Sequence, residues 1–503
     1  MVRNILSQVL HHKKNERRIY IWAVVLSALF AATVSLVVGL HQSVWFDEAY
    51  SILLAKHSVG QLVHLTSLDT HPPLFYLLLK GWAGLFGWGE FALRSMSILA
   101  MVGALIVGGA LARKMFGYRV AAGVVVILAL SPLLLRYGFE IRMYALASLI
   151  GVSATYCLYS AYKAKALVRR RWLIGYGLLV AVGVYTLYYL ALLWVAHAVW
   201  LVYLAVKHKW RVRALLPYVL SYCGAVVLFL PWLPTFLSQI SNGALAPIGQ
   251  PMDFEQLSGV ISFNTLYQPS YSLTVVLTVV TVAFIAAVVY AIMRSHKILR
   301  AYKEELTLLG MYIGVPIVVL IVVSLSRSMY TERYLSHVAI GMMILLGAVV
   351  MLAFNNLRGA KRWWLAVIIF GSLAIGVVDV AQAGNFNFQR NEHPTVNQAA
   401  ASIKNCAAGT ELIAADPYVA TEMAYYLPDC QMYFVSQWPT LGGGYAPFSG
   451  SPYQIKHTSD ITSPLVTYVY YGTPDQAMPS NYSLKSTHTY GALHVSEYQL
   501  SAE

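Results

Sequence analysis

Ile19-Tyr-Ile-Trp-Ala-Val-Val-Leu-Ser-Ala-Leu-Phe-Ala-Ala-Thr-Val-Ser-Leu-Val-Val-Gly-Leu40 carries no charge, and Trp45-Phe46-Asp47-Glu48-Ala49-Tyr50 follows it within a few residues. A helix of about 20 apolar residues crosses roughly 30 Å of hydrocarbon, where every backbone group must be satisfied within the segment. The run follows Lys13, Lys14, Arg17 and Arg18, is too long for a removable signal and lacks a small-residue cleavage site. It therefore reads as a retained anchor, and the acidic pair falls just outside a membrane.

The same texture continues along the chain. Of 503 residues, 58% are hydrophobic and 11% charged, with mean hydropathy +0.61; charged residues make up about a quarter of an ordinary soluble protein. Most of the chain cannot face water, and the fold class is an all-α polytopic membrane protein. A closed barrel would need alternation, and there is none. Further spans are expected near 95–112, 119–135, 143–162, 173–188, 189–206, 214–233, 272–293, 306–325, 334–354 and 364–382, about eleven in all. With the N-terminus in the cytoplasm, 24 of the 35 Lys and Arg lie inside, as the positive-inside rule requires. The net charge of +14 is then explained by topology anchors touching membrane lipids, with no nucleic-acid partner. Of the 21 acids only Glu16, Glu304 and Glu305 fall on the cytoplasmic side, so carboxylate chemistry faces outward. The expected localisation is the cell (plasma or inner) membrane, multi-pass, with the C-terminal region extracytoplasmic.

One apolar stretch breaks the pattern. His71-Pro72-Pro73-Leu-Phe-Tyr-Leu-Leu-Leu-Lys80-Gly-Trp82-Ala-Gly-Leu-Phe86 is short and charged, and if it crossed, Arg113, Lys114 and Arg119 would move outside. It is expected to lie in the outer interface, with Pro72 and Pro73 in its first turn, Lys80 snorkelling and Trp82 at headgroup level. Segment 41–94 then becomes a large external loop of a transmembrane domain spanning 1–382. Residues 383–503 contain no spanning run and read as a small extracytoplasmic α/β domain, with strands at 411–416, 432–436 and 465–471 and a helix at 418–427. Cys406 and Cys430 both lie there and form a disulfide candidate in an oxidising compartment, whereas Cys157 and Cys223 fall in expected spans.

The outward polar residues recur at one boundary. The first loop brings Asp47, Glu48, Asp69, His71 and Glu90, with Arg94 at the mouth of the next span. A second external turn, Leu135-Arg136-Tyr137-Gly-Phe-Glu140-Ile-Arg142-Met-Tyr144, carries two arginines and a glutamate, and a later one carries Arg327, Glu332, Arg333 and Tyr334. Ionisable groups at membrane depth are expensive and point to function by default. A carboxylate there serves as general base for a hydroxyl, arginines hold a phosphate and stabilise it as it leaves, and aromatic faces suit a sugar ring or prenyl chain. Together they describe sugar transfer from a lipid phosphate. Each residue also has a structural reading. Asp47 and Glu48 suit the first turn of a helix, His71 a polar helix start, Glu140 an ion pair with Arg136 or Arg142, and Arg333-Tyr334 an interface anchor. Arg327 and Glu332 read as solvated, and Tyr185, Tyr188 and Tyr189 as an aromatic belt.

The ordered set Trp-Phe-Asp47-Glu48-Ala-Tyr, Asp69-Thr-His71-Pro-Pro-Leu-Phe-Tyr, Glu90-Phe-Ala-Leu-Arg94 and Glu140-Ile-Arg142-Met-Tyr144-Ala-Leu resembles the bacterial GT-C membrane glycosyltransferases. It is most similar to the group related to protein O-mannosyltransferases and the lipid A aminoarabinose transferase, over roughly residues 20–160, and Glu332-Arg333-Tyr334 resembles a later family motif. The resemblance implies a polyprenyl-phosphate-sugar donor and an inverting single displacement at the outer face. Asp47 then matches the catalytic base, Glu48 its neighbour that holds the acceptor or a metal, and Glu140 the second-loop acid. Arg142 and Arg333 are preferred for the donor phosphate, with Arg94 and Arg136 beside them and Asp69, Tyr144 and Tyr334 in support. His71 orients the leaving phosphate or, with Glu48 or Asp69, ligates a divalent metal ion, as in some relatives. The acceptor is a hydroxyl on a protein, a glycan or a lipid. No sugar-binding repeat domain of the eukaryotic O-mannosyltransferases is visible. A transporter or flippase would carry charged or Gly/Pro-broken midspans, which are almost absent here, and a scaffold would not explain the clustered acids and arginines. On this topology, a reporter fused after Glu503 is active only outside the cytoplasm; a cytoplasmic signal would overturn the orientation.

Overall fold

The N-terminal apolar run lies within one long helix, Val2–Leu40. The other runs also form helices: Glu90–Phe116, Tyr144–Lys163, Ala166–Thr186, Leu190–Lys207, Val212–Phe229, Val275–Leu299, Lys303–Ser324, Ser336–Asn356 and Ala360–Ala383. The computed structural model describes residues 2–241, 275–325, 332–383, 395–403, 410–438, 441, 443–448 and 450–501. Among them eight stretches are long and apolar enough to cross a membrane, or up to nine if the bent pair Tyr118–Ala129 and Pro132–Gly138 is one span. The chain is thus a multi-pass, mainly helical membrane protein. The eleven expected spans differ from this count at three places. Ala166–Thr186 carries Arg169, Arg170 and Arg171 in its first turns and is not among the eight. Val275–Leu299 and Lys303–Ser324 pass as one stretch, Thr278–Ser324. The run expected at 119–135 is two helices bent by 57°. Pro132 lacks an N–H and disfavours helix at Ser131, and the Ser131 hydroxyl instead caps the new helix by accepting the Leu134 N–H at 3.5 Å.

Two compact units result. The first comprises Met1–Leu36, Ser95–Pro234 and Ala246–Gln382; the second comprises Val37–Arg94, Thr235–Leu245 and Ala383–Glu503. The loop assigned to the 1–382 domain from sequence therefore folds into the same unit as 383–503. The cause is packing between its helix Phe46–Lys56 and the C-terminal helix Pro417–Tyr426, described below.

In the first unit, Tyr118–Ala129 and Ser336–Asn356 approach closely through small residues. A Cβ on Gly347 would come 2.9 Å from the Val124 Cα, a backbone atom that has no room to give. Such contacts replace the hydrophobic drive that lipid does not supply between spans.

The second unit holds the short helices Phe46–Lys56, Val59–Ser67 and Leu74–Phe86 and a six-stranded sheet. Its strands are β1 Thr410–Ala414, β2 Met432–Val435, β3 Gln454–Ile455, β4 Leu465–Tyr471, β5 Tyr482–Tyr490 and β6 Leu493–Leu500, in the order β3-β2-β1-β4-β6-β5. The pairs β1–β2, β1–β4 and β2–β3 are parallel, and β6 runs antiparallel to β4 and β5. Central β1 is covered on both sides: Leu412 and Ala414 pack with Val419, Met423, Phe434 and Val469, while Ile413 packs with Val435, Val466 and Tyr468. That is why Leu412, Ile413 and Ala414 form an unbroken apolar run rather than alternating. Edge strand β5 carries an irregularity between Leu484 and Ser486, at Lys485; both features discourage pairing with another chain. Cys430 is disulfide-bonded, Cys157 and Cys223 are free, and Cys406 lies outside the described residues, as does Arg327.

The helix expected in the interface exists as Leu74–Phe86, capped by Pro73. Lys80 does not snorkel. Its Nζ donates to the carbonyls of Ala55 (3.2 Å) and His57 (2.8 Å), at the C-terminus of Phe46–Lys56, where helix carbonyls lack partners and the dipole favours a cation. Trp82 Nε1 donates to the Ala92 carbonyl at 2.8 Å.

Replacing Gly347 by Leu forces two backbones apart, at about 1–3 kcal/mol for overpacking. Thermal unfolding of the detergent-purified variant is expected several degrees below the parent. An unchanged midpoint would contradict the close approach.

Candidate active site

The acidic pair opens a helix. Trp45 is extended and precedes Phe46–Lys56, so Asp47 and Glu48 occupy the first turn, where the helix dipole favours carboxylates. Glu48 is nevertheless fully buried. Its Oε1 accepts from Arg94 Nη1 at 2.8 Å and its Oε2 from Arg94 Nη2 at 3.1 Å, a bidentate pair. Glu48 Oε2 also accepts the Trp45 N–H at 3.4 Å, and Arg94 donates to the Gln42 carbonyl at 3.3 Å. Arg94, expected from the sequence at a donor phosphate, is thus fully buried and committed to Glu48. Asp47, one residue earlier, is only partly buried.

The C-terminal helix Pro417–Tyr426 fixes the same turn from the other side. Glu422, itself buried, accepts the Phe46 N–H at 3.0 Å and the Tyr471 hydroxyl at 2.8 Å. The Tyr426 hydroxyl accepts the Val44 N–H at 2.7 Å and donates to Glu90 at 2.9 Å. Burial, and after it the Glu90 carboxylate, push this hydroxyl far above its ordinary value, so it remains a neutral donor. The Phe46 ring stacks on Tyr418 with centroids 4.5 Å apart. An orphan N–H at the start of the Asp47 helix is therefore satisfied by a side chain far away in sequence.

Asp69 and His71 form a second, adjoining set in the chain. Asp69 Oδ2 accepts the Tyr50 hydroxyl at 2.8 Å and lies 3.4 Å from His71 Nδ1. Gln239 Nε2 donates to the backbone carbonyls of Thr66 (3.0 Å) and Asp69 (2.6 Å), holding this turn. Among the described residues no group of three or more His, Cys, Asp or Glu is arranged to hold a metal ion. His71 and Asp69 supply two donors, while both oxygens of Glu48 face Arg94. The metal site suggested for His71 with Glu48 or Asp69 therefore does not fit the described residues.

In the first unit, the expected second external turn is buried along its whole length: every residue from 131 to 145 is withdrawn from solvent. Irregular backbone at membrane depth is tolerated only where protein or a water-lined cavity surrounds it. Arg136 and Glu140, both fully buried, lie 4.0 Å apart. The Arg136 guanidinium also sits 5.4 Å from the Tyr137 ring and 5.3 Å from that of Phe139. Arg142 is buried, and the Tyr137 and Tyr144 rings meet edge to face at 5.3 Å. Arg333 is half-buried, 5.9 Å from the Tyr334 ring, and Tyr334 stacks on Tyr189 at 4.4 Å. Tyr189 thus belongs to a packed pair with the Arg333 segment, while Tyr188 accepts from Trp232 Nε1 at 2.7 Å and Tyr185 donates to the Leu228 carbonyl at 3.1 Å.

The family described as dolichyl-phosphate-mannose-protein mannosyltransferase matches residues 70–234. The apo crystal structure of ArnT from Cupriavidus metallidurans superposes with a TM-score of 0.63 at 15% identity, covering 94% of this chain and 97% of that one. The same protein bound to undecaprenyl phosphate gives 0.61 at 15% identity over the same shares, 94% and 97%. The archaeal oligosaccharyltransferase AglB from Archaeoglobus fulgidus, in complex with an inhibitory peptide and a dolichol-phosphate, gives 0.54 at 12% identity over 90% of this chain and 69% of that one. The chain shares the fold of these solved structures over at least 90% of its length. Comparison with curated protein sequences gives no match. The family match takes in His71, Arg94, Arg136, Glu140, Arg142 and Tyr144, and stops short of Asp47, Glu48 and Asp69 and of Arg333 and Tyr334. Gln239, Glu422 and Tyr426 carry no motif and were not expected at the site. The signal for Glu422 was its place on an apolar helix, where a carboxylate needs a partner.

Removing one partner of the Glu48–Arg94 pair strands a buried charge, at about 3–5 kcal/mol. Glu48→Gln and Arg94→Met are each expected to lower the unfolding midpoint strongly, and the double variant to lower it by clearly less than their sum. Strict additivity in this double-mutant cycle would show that the two side chains are not coupled.

Proposed function

We propose that the chain is an inverting glycosyltransferase that moves a sugar from a polyprenyl-phosphate donor to an acceptor hydroxyl at the outer face of the cell membrane. The N-terminus lies in the cytoplasm and residues 383–503 outside it. The observation that carries the choice of base is the unequal fate of the acids. Glu48 is buried against Arg94 and Glu140 against Arg136, whereas Asp47 keeps partial access to solvent on a helix turn held from both sides. An acid that must receive a proton from an incoming hydroxyl needs that access and a fixed direction.

In the reaction, the Asp47 carboxylate takes the acceptor proton as the acceptor oxygen bonds to the anomeric carbon. The bond from that carbon to the phosphate oxygen breaks with its electron pair, and polyprenyl phosphate leaves. Arg142 and Arg333 contact the donor phosphate and stabilise the growing charge, with Arg136 in support. Tyr144 and Tyr334 offer aromatic surface to the donor. Asp69 and His71 shape the first loop, and His71 orients the leaving phosphate. Glu48 and Arg94 act as positioning residues. The undecaprenyl phosphate and dolichol-phosphate in the two related structures support a lipid-phosphate donor.

Asp47→Asn is expected to reduce turnover by about 10²-fold or more, the lower range of general-base contributions, without changing expression or melting behaviour; near-normal turnover would remove Asp47 as base. Arg142→Ala and Arg333→Ala are expected to weaken donor binding more than acceptor binding, measured as separate Kd values. Unchanged donor affinity in both would contradict the phosphate role.

A further inference from the structure

Helices Ala166–Thr186 and Val212–Phe229 lie side by side in the first unit, joined by the Ser221 hydroxyl donating to the Leu173 carbonyl at 3.0 Å. A Cβ on Gly177 would come 2.9 Å from the Ser221 carbonyl oxygen, so the seam is closed at that level. Along it opens a groove of about 800 Å³ with two unlike ends. Arg169, Arg170 and Arg213 line one end, and Ile174, Leu178, Leu216, Leu220 and Val227 line its length. These apolar side chains are exposed, Leu220 at 59% and Val227 at 62%. Among the described residues none of the three arginines has an acidic partner within ion-pair distance. Arg169 donates Nη2 to the Ala164 carbonyl at 3.1 Å, while its Nε is buried without a hydrogen-bond partner.

We infer that this groove holds an anionic diacyl phospholipid as a structural ligand, its phosphate among Arg169, Arg170 and Arg213 and its chains along the two helices. Charge complementarity selects the headgroup: three cations with no acid beside them are met by a lipid phosphate, and basic pockets between spans are known to bind such heads. Apolar exposure selects the tails. At roughly 30 Å³ for a water-sized group, the groove has room for about 27 methylene-sized groups, enough for parts of two acyl chains. The groove is not the donor site of the proposed reaction. Arg169 starts a helix whose other end leads to Tyr189, the ring stacked on Tyr334. At 1.5 Å per residue those ends are on the order of 25 Å apart.

Gly224 supplies the test, because a Cβ there meets nothing within 4 Å. Gly224→Leu fills the groove on an exposed helix position without changing charge, and Arg169→Gln/Arg170→Gln/Arg213→Gln removes the charge without changing shape. Full-length protein is reconstituted in nanodiscs of phosphatidylcholine with a minority of phosphatidylglycerol, released into mild detergent, and examined by native mass spectrometry. The parent is expected to retain phosphatidylglycerol in preference to phosphatidylcholine and to melt higher with it. The triple variant should lose that preference by roughly a hundredfold, about fivefold per arginine, and Gly224→Leu should lose retained lipid of both kinds. Parent-like retention by both variants would overturn the inference. So would displacement of phosphatidylglycerol by added polyprenyl phosphate, which would make the groove a donor site. Sugar transfer is followed in the same samples, so failure of the lipid site is distinguishable from failure of the proposed reaction.

Discussion

The carboxylate of Glu48 and the guanidinium of Arg94 meet bidentately with both side chains out of reach of solvent. In such surroundings the pair is costly to form and more costly to break, because removing either partner leaves the other charge buried. What it secures is geometry. Glu48 sits in the first turn of Phe46–Lys56, and Arg94 near the start of Glu90–Phe116, so the pair ties the beginning of one helix to the beginning of the next. The other end of Phe46–Lys56 is closed by the Lys80 ammonium. Glu422 and Tyr426 complete the hold on residues 44–46. Asp47 is carried on a turn with little freedom left, which the proposed role of general base requires.

A chain with 11% charged residues places its few ions where they must be compensated. In the first unit the Arg136 segment finds compensation close by in sequence. Arg136 is set between Glu140 and two aromatic rings within one break in the helical run, started by Ser131-Pro132. The break brings Arg136, Glu140 and Arg142 into a buried, irregular segment that a continuous helix would have spread around its circumference. In the second unit the compensation is long-range, and it draws on residues from three separate parts of the chain.

Much of this was legible in the sequence. Uncharged runs became helices because lipid leaves the backbone no other partner, and Leu465–Tyr471 was read as a strand with the bounds it has. The missed parts share a physical reason. Strand β5 is a polar edge strand, and β6 beside it mixes His, Ser, Glu and Gln among its apolar residues, so neither shows a plain apolar run. Lys80 was read by its charge alone, although its partners are backbone carbonyls with no sequence signature. Arg94 was assigned to a ligand because its true partner lies 46 positions away. The Glu422–Phe46 bond, across 376 positions, is set by tertiary packing that no local pattern encodes.

In the proposed reaction a lipid phosphate leaves as an acceptor hydroxyl gives up its proton. Its most direct test is mass spectrometry of the lipid products after purified protein is incubated with a panel of polyprenyl-phosphate sugars and an envelope extract supplying acceptors. Free polyprenyl phosphate is expected from at least one donor, formed only when acceptor is present and with the transferred sugar inverted at its anomeric carbon. Intact donors throughout, or a product of retained configuration, would contradict it.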